Sequence, residues 1–144
     1  MRLTKKKKKE MRLKKYFIAS VAIMAGVLFM SLRPADSIVT EEDGFTVINT
    51  TTLADDVDGY AGPTPLKIYI KANKIEKVVA LKNDETPKYL AVIKRKLLTK
   101  WNGLTVKKAA TQKVDVITGA TCTSEAVIEN VKRGAVYYNK NVKR

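Results

Sequence analysis

Residues 115–123 read Asp-Val-Ile-Thr-Gly-Ala-Thr-Cys-Thr, and an amphipathic run, residues 124–138, follows directly. Apolar residues recur at helical spacing in this run, which predicts a helix with one apolar face. They are Ile128, Val131, Ala135 and Tyr138. Gly119 and Ala120 are small, so the backbone can turn sharply there and a bulky ring can lie close to it. Thr121 then stands just ahead of the predicted helix start, where free N–H groups and the helix dipole favour a phosphate. We predict Thr123 as the N-cap of this helix.

The pattern Asp-x-x-(Ser/Thr)-Gly-Ala-Thr-x-Thr in these residues resembles the flavinylation motif of the FMN-binding domain family. That family includes subunits of the sodium-translocating NADH:quinone reductase and of the Rnf complex. The resemblance implies that Thr121 carries FMN through a phosphoester bond, made by a separate flavin transferase with FAD as the donor. Without the upstream Asp and Gly-Ala, Thr-x-Thr-Ser would indicate helix capping alone. The cofactor-binding set predicted around Thr121 is Asp115, Thr118, Gly119, Ala120, Thr123 and Ser124.

A second segment, Glu85-Thr86-Pro87, resembles the Glu-Thr-Pro segment that lies near the flavin in this family. Thr86 suits an N-cap and Pro87 the first position of a helix, which the apolar spacing extends to about Trp101. Two interpretations stay open: a plain helix start, or a flavin contact through Glu85 and Thr86. Lys88 stands where the family usually has glycine, which weakens the second.

The remaining patterns predict an α+β domain with a small antiparallel sheet and two packed helices. Residues 66–71 alternate apolar and polar side chains, and residues 75–81 supply a return strand through Val78, Val79 and Leu81. The two segments flank a tight turn at Asn73, which indicates a hairpin. Residues 44–49 give a further strand. Residues 34–43 read as a polar connector, and residues 104–114 as a loop with at most a short strand.

The basic N-terminus is followed by an apolar span. The chain has a net charge of +14, of which residues 1–15 contribute nine basic side chains and one acidic side chain. Residues 16–32 contain no charge and end at Arg33-Pro34, which favours an uncleaved signal anchor over residues 16–33 rather than a cleaved signal peptide. The positive-inside rule places the tail in the cytoplasm and residues 44–144 outside it, on a bacterial inner membrane crossed once. Because the charge adjoins an apolar span, we expect no nucleic-acid partner.

The composition excludes several chemistries. There is no histidine, which excludes histidine-based acid–base catalysis and ordinary zinc sites, and no intrachain disulfide can form because Cys122 is the one cysteine. We interpret Cys122 as a small packing residue. The sequence thus predicts an anchored electron carrier with covalent FMN, served by membrane or exported redox partners, and enzyme status stays open. The alternatives are an anchored binding or sensor module, or an assembly module, in which the flavin site is not used.

Overall fold

A computed structural model describes residues 37–143 of the 144-residue chain. The expectations for the basic tail and for the anchor at residues 16–33 lie outside the described residues. No helix between residues 37 and 143 has the length and apolar character needed to cross a bilayer.

The fold is built on a four-stranded antiparallel sheet in which each strand pairs with its neighbour along the chain. The predicted hairpin is confirmed: β3 and β4 join through Ala72 and Asn73, which have φ of 49° and 60°. Positive φ at both turn residues gives the turn the twist that two antiparallel strands require. The strands are β1 (Val39–Glu42), β2 (Phe45–Asn49), β3 (Leu66–Lys71) and β4 (Lys74–Ala80).

Strand β1 corrects the prediction that residues 34–43 form a connector. Val39–Glu42 instead pairs along β2, with Val39 opposite Ile48. Its last residue, Glu42, accepts hydrogen bonds from Lys67 Nζ at 2.6 Å and Tyr69 Oη at 2.9 Å, both on β3. The Lys67 hydrogen bond is the main reason why the pKa of Glu42 lies below its ordinary value. The polar residues of β1 therefore stabilise the edge of the sheet. Because they lack apolar periodicity, the sequence did not predict this strand.

The helices begin close to where the sequence predicts but differ in length. Helix α1 ends at Lys96, and a 3-10 helix, Leu98–Trp101, continues its path to the predicted end. The segment predicted as a loop contains a short helix, α2, and only an isolated bridge between Lys74 and Thr105. The helices are α1 (Pro87–Lys96), α2 (Val106–Ala109) and α3 (Thr121–Asn141).

The hydrophobic core lies between the sheet and the helices. Helix α3 contacts β2 and β3, and its Val127, Val131 and Ala135 are fully buried. Gly134 allows the close approach, because a Cβ there would lie 2.5 Å from Ile68 Cδ1 on β3. The α+β class with a small antiparallel sheet and packed helices is thus confirmed.

Candidate functional site at the start of helix α3

Helix α3 begins three residues earlier than the sequence predicts. Thr121 is its first residue, Ala120 is the N-cap residue with φ −135°, and no side chain caps the helix. Gly119 has φ +82°, a conformation that is energetically unfavourable for any residue with a Cβ. Glycine adopts it readily and so makes the turn into the helix. Thr121 is exposed at the N-terminal end of the helix, where four backbone N–H groups lack partners within the helix.

The prediction that Thr123 is the N-cap is wrong. Thr123 lies in the first turn of α3 and is only 2% exposed. Its Oγ1 donates a hydrogen bond to Glu85 Oε2 at 2.7 Å. The hydroxyl therefore joins the motif to the segment before α1, and does not satisfy an N–H of its own helix.

Ser124 holds the loop against the helix start. Its fully buried Oγ donates to the carbonyl of Ala120 at 2.7 Å and accepts from the backbone N–H of Ile117 at 3.0 Å. These two bonds lie on either side of Thr118 and Gly119, so they fix the backbone that presents Thr121. Ser124 thus positions the loop before Thr121 but does not line the pocket described below.

Glu85 is a buried carboxylate, 5% exposed, with three hydrogen-bond donors. Besides Thr123, the backbone N–H of Ala61 and the hydroxyl of Thr64 donate to its Oε1 at 3.2 and 3.4 Å. A buried charge is tolerated when hydrogen bonds replace its water. Glu85 thereby links three segments that are far apart in sequence.

Glycine at position 59 makes room for this carboxylate. A Cβ on Gly59 would lie 2.2 Å from Glu85 Oε1 and 2.8 Å from Thr64 Oγ1. Both distances are far inside van der Waals contact, so any larger residue would displace the carboxylate or the 59–64 segment. The sequence indicated only a turn here.

These segments surround a pocket of about 460 Å³, a size within the usual range for small-molecule and cofactor sites. Two tyrosines stand at its rim, with Tyr60 77% exposed and Tyr89 43% exposed. The residues around the pocket are Tyr60, Glu85, Thr86, Tyr89, Gly119, Ala120, Thr121, Cys122 and Thr123.

Most of the predicted site residues meet at this pocket, and Glu85 and Thr86 reach it from the other segment. Asp115 and Thr118 are exposed and do not line it. Cys122 is also exposed and lies at the pocket, which corrects its interpretation as a packing residue. Tyr60 and Tyr89 are not among the residues predicted from the sequence; a signal for Tyr60 was present in the Gly-Tyr-Ala-Gly-Pro run of residues 59–63.

The donor set fits a flavin mononucleotide. A phosphate needs N–H donors and the positive end of a helix dipole, both of which the 21-residue helix α3 offers beside the Thr121 hydroxyl. A flat ring needs an open cleft with aromatic edges, which Tyr60 and Tyr89 supply. The Glu85 carboxylate is engaged by its three donors, so its hydrogen-bonding capacity is largely used within the protein.

Fold and site together define a small α+β domain with a cofactor pocket at a helix N-terminus. A family model described as the FMN-binding domain matches residues 59–136, more than half of the chain, and the chain belongs to this family. FMN is accordingly its cofactor. The match runs from Gly59, beside Glu85, into the helix that begins at Thr121. No curated protein and no solved structure matches the chain.

Proposed function

We propose that the chain is a membrane-anchored, extracytoplasmic flavoprotein that carries FMN covalently on Thr121 and transfers electrons. The observation that carries the proposal is the position of the Thr121 hydroxyl. It is exposed, it stands on the first residue of α3, and it borders the pocket of an FMN-binding domain.

The choice of Thr121 rests on its surroundings. Of the three threonines in the motif, Thr123 is buried and its hydroxyl is engaged with Glu85. Thr118 is exposed but does not line the pocket. Thr121 alone combines an exposed hydroxyl with the N–H groups of the helix start.

The attachment is a phosphoryl transfer without redox change. Thr121 Oγ1 attacks the phosphorus on the flavin side of FAD and forms the phosphoester bond. The bond between the two phosphates breaks, AMP leaves with the electron pair, and the hydroxyl proton passes to a base of the flavin transferase. The α3 dipole and N–H groups stabilise the phosphate left on the protein.

Electron transfer would then depend on how openly the chain presents the ring. Bound FMN supplies an isoalloxazine that accepts and returns electrons. The exposed rim at Tyr60 and Tyr89 leaves access for a redox partner in the membrane or outside the cytoplasm. A covalent tether would prevent loss of the cofactor from an exported domain.

The location rests on the sequence before the described domain. Nine basic residues precede an uncharged run, residues 16–32, which supports a signal anchor with its N-terminus in the cytoplasm of a bacterium. A reporter active only outside the cytoplasm, fused after Arg144, is expected to be active. Activity of a cytoplasm-only reporter at the same place would contradict this topology.

The attachment is tested with the full chain co-expressed with a flavin transferase. In-gel flavin fluorescence of denatured protein and peptide mass mapping are the measurements. Thr121→Ala should abolish covalent flavin, and Thr121→Ser should retain part of it because the hydroxyl survives. Thr52→Ala, which replaces an exposed threonine outside the motif and the pocket, should retain all of it.

Two results would count against the proposal. Full fluorescence in the Thr121→Ala protein would overturn the attachment site. Absence of flavin from the unmutated protein would overturn the function and favour an anchored module whose flavin site is not used.

A further inference from the structure

The segment from helix α1 to the start of the motif carries charge of one sign only. Residues 86–114 contain eight basic side chains and no acidic one, whereas the other residues between 37 and 143 contain twelve acidic and nine basic side chains. All eight are exposed. Among the described residues, the ion pairs of the domain involve other cations, Lys67, Lys132 and Arg133. The eight are Lys88, Lys94, Arg95, Lys96, Lys100, Lys107, Lys108 and Lys113.

The fold gathers four of these cations around a concave surface. A depression of about 630 Å³ lies between the C-terminal end of α1 and residues 112–117. Arg95, Lys96 and Lys100 line one side, and Lys113 lies on the other with Asp115, the first residue of the motif. We call this the basic depression. Like-charged groups in a concavity reinforce one another's potential, so the depression should attract an anionic partner.

The chain that borders the basic depression is accessible. Residues 112–116 belong to no helix or strand, and they make no backbone–backbone hydrogen bond with any residue between 37 and 143. Four of the five are exposed, including Val116 at 41%. A segment without backbone partners inside the domain can be recognised by another protein through its backbone as well as its side chains.

The basic depression is separate from the FMN pocket. Thr86 and Tyr89 border the pocket at one end of α1, and Arg95 and Lys96 border the depression at the other. A helix of ten residues is about 15 Å long. A redox partner needs contact with the pocket, whereas a protein that recognises the motif from Asp115 to Thr123 must cover both. The position beside Asp115 therefore favours the enzyme that modifies Thr121.

We propose that the basic depression and residues 112–117 form the docking surface for the flavin transferase, which meets them with an acidic surface. This inference rests on the proposed covalent attachment of FMN. It would explain why Asp115, the first residue of the flavinylation motif, lies away from the pocket that Thr121 borders. Docking at the depression would align residues 112–117 and bring the Thr121 hydroxyl to the transferase active site.

The test is the kinetics of flavin attachment to the full chain in neutral detergent, with FAD and purified transferase of the same host. The variant Arg95→Glu/Lys96→Glu/Lys100→Glu should raise the KM for the protein substrate about tenfold at low salt, with kcat unchanged. The corresponding triple Gln variant should give a smaller rise. Added salt should raise the KM of the unmutated protein toward that of the variants, because exposed charges are screened.

A matched control separates this surface from net charge. Lys74→Glu/Lys82→Glu/Lys140→Glu changes the charge equally at exposed positions outside the depression, and its KM should stay within twofold of the unmutated value. Thermal unfolding by circular dichroism verifies that all three triple variants fold. Unchanged KM in both basic-depression variants, or an equal rise in the control, would overturn the inference.

Two further outcomes are distinguishable. If the KM difference appears only in nanodiscs of anionic lipid and is absent in neutral detergent and in zwitterionic nanodiscs, the partner of the surface is the bilayer and the inference fails. Absence of covalent flavin from the unmutated protein would overturn the proposed function and this inference with it. Normal attachment with equal KM values would overturn this inference alone.

Discussion

Replacing Thr123 by valine isolates the bond between the motif and the buried carboxylate. Valine keeps the shape of threonine but cannot donate the 2.7 Å hydrogen bond to Glu85 Oε2. A hydrogen bond to a charged group contributes about 1.5–3 kcal/mol, and with Glu85 5% exposed, water cannot easily replace the lost donor. Capping alone would have put the cost of losing this hydroxyl at about 1 kcal/mol. We expect Thr123→Val to lower the free energy of unfolding by about 1.5–3 kcal/mol.

Fluorescence of Trp101 reports the unfolding directly. It is the one tryptophan of the chain and is 1% exposed, so its emission should shift to the red when the domain unfolds. At about 4 °C per kcal/mol for a domain of this size, the Tm of Thr123→Val should fall by about 6–12 °C. Thr123→Ser keeps the donor and loses one methyl group, which should cost only about 1 kcal/mol.

A double-mutant cycle assigns the loss to the pair. In a Glu85→Gln background the acceptor is neutral, where a hydrogen bond contributes about 1 kcal/mol, so Thr123→Val should cost less than in the unmutated protein. Equal Tm values for Thr123→Val and Thr123→Ser, or a cost unchanged by Glu85→Gln, would refute the reasoning.

Three other single substitutions test the contacts of Glu42 on β1, the turn at Gly119 and the packing of α3 at Gly134. Glu42→Gln should destabilise the protein at pH 7 by up to about 1 kcal/mol. Because Lys67 lowers the folded-state pKa of Glu42 from 4.5, this difference should shrink as the pH falls below 4.5, as pH-dependent urea titrations can measure. Gly119→Ala should cost about 1–2 kcal/mol at φ +82° and reduce in-gel flavin fluorescence, because alanine would strain the turn that presents Thr121, the proposed attachment residue; full fluorescence would contradict this. Gly134→Ala should lower the Tm, since overpacking costs about 1–3 kcal/mol against a gain of about 1 kcal/mol in helix propensity. Ile68→Val, which removes the Cδ1 methyl 2.5 Å from the new Cβ, should restore part of it, and no recovery would show that the strain lies elsewhere.

Local sequence patterns were sufficient to predict the elements that are stabilised by interactions between residues close together in the chain. The β3–β4 hairpin follows from alternation and a turn at Asn73, and the start of α1 follows from Thr86 and Pro87 at the first positions of a helix. Strand β1 escaped detection because its residues Val39–Glu42 gain their order from pairing with β2 and from the Lys67 and Tyr69 contacts of Glu42. Such pairing has no periodic signature in a four-residue polar strand.

By itself, the sequence determined the α+β class, the FMN-binding motif and the position of Thr121 beside a helix start, because each follows from residue types at fixed short spacings. Only the tertiary structure decided what Thr123 and Glu85 do. They are 38 residues apart in sequence. The neighbouring residues alone predicted that the Thr123 hydroxyl caps the helix, but it donates to the buried Glu85 carboxylate instead. The free N–H groups of a helix N-terminus can be satisfied by a phosphate or by water, whereas a buried carboxylate must be hydrogen-bonded within the protein. The Thr123 hydroxyl therefore bonds to Glu85 and does not cap the helix.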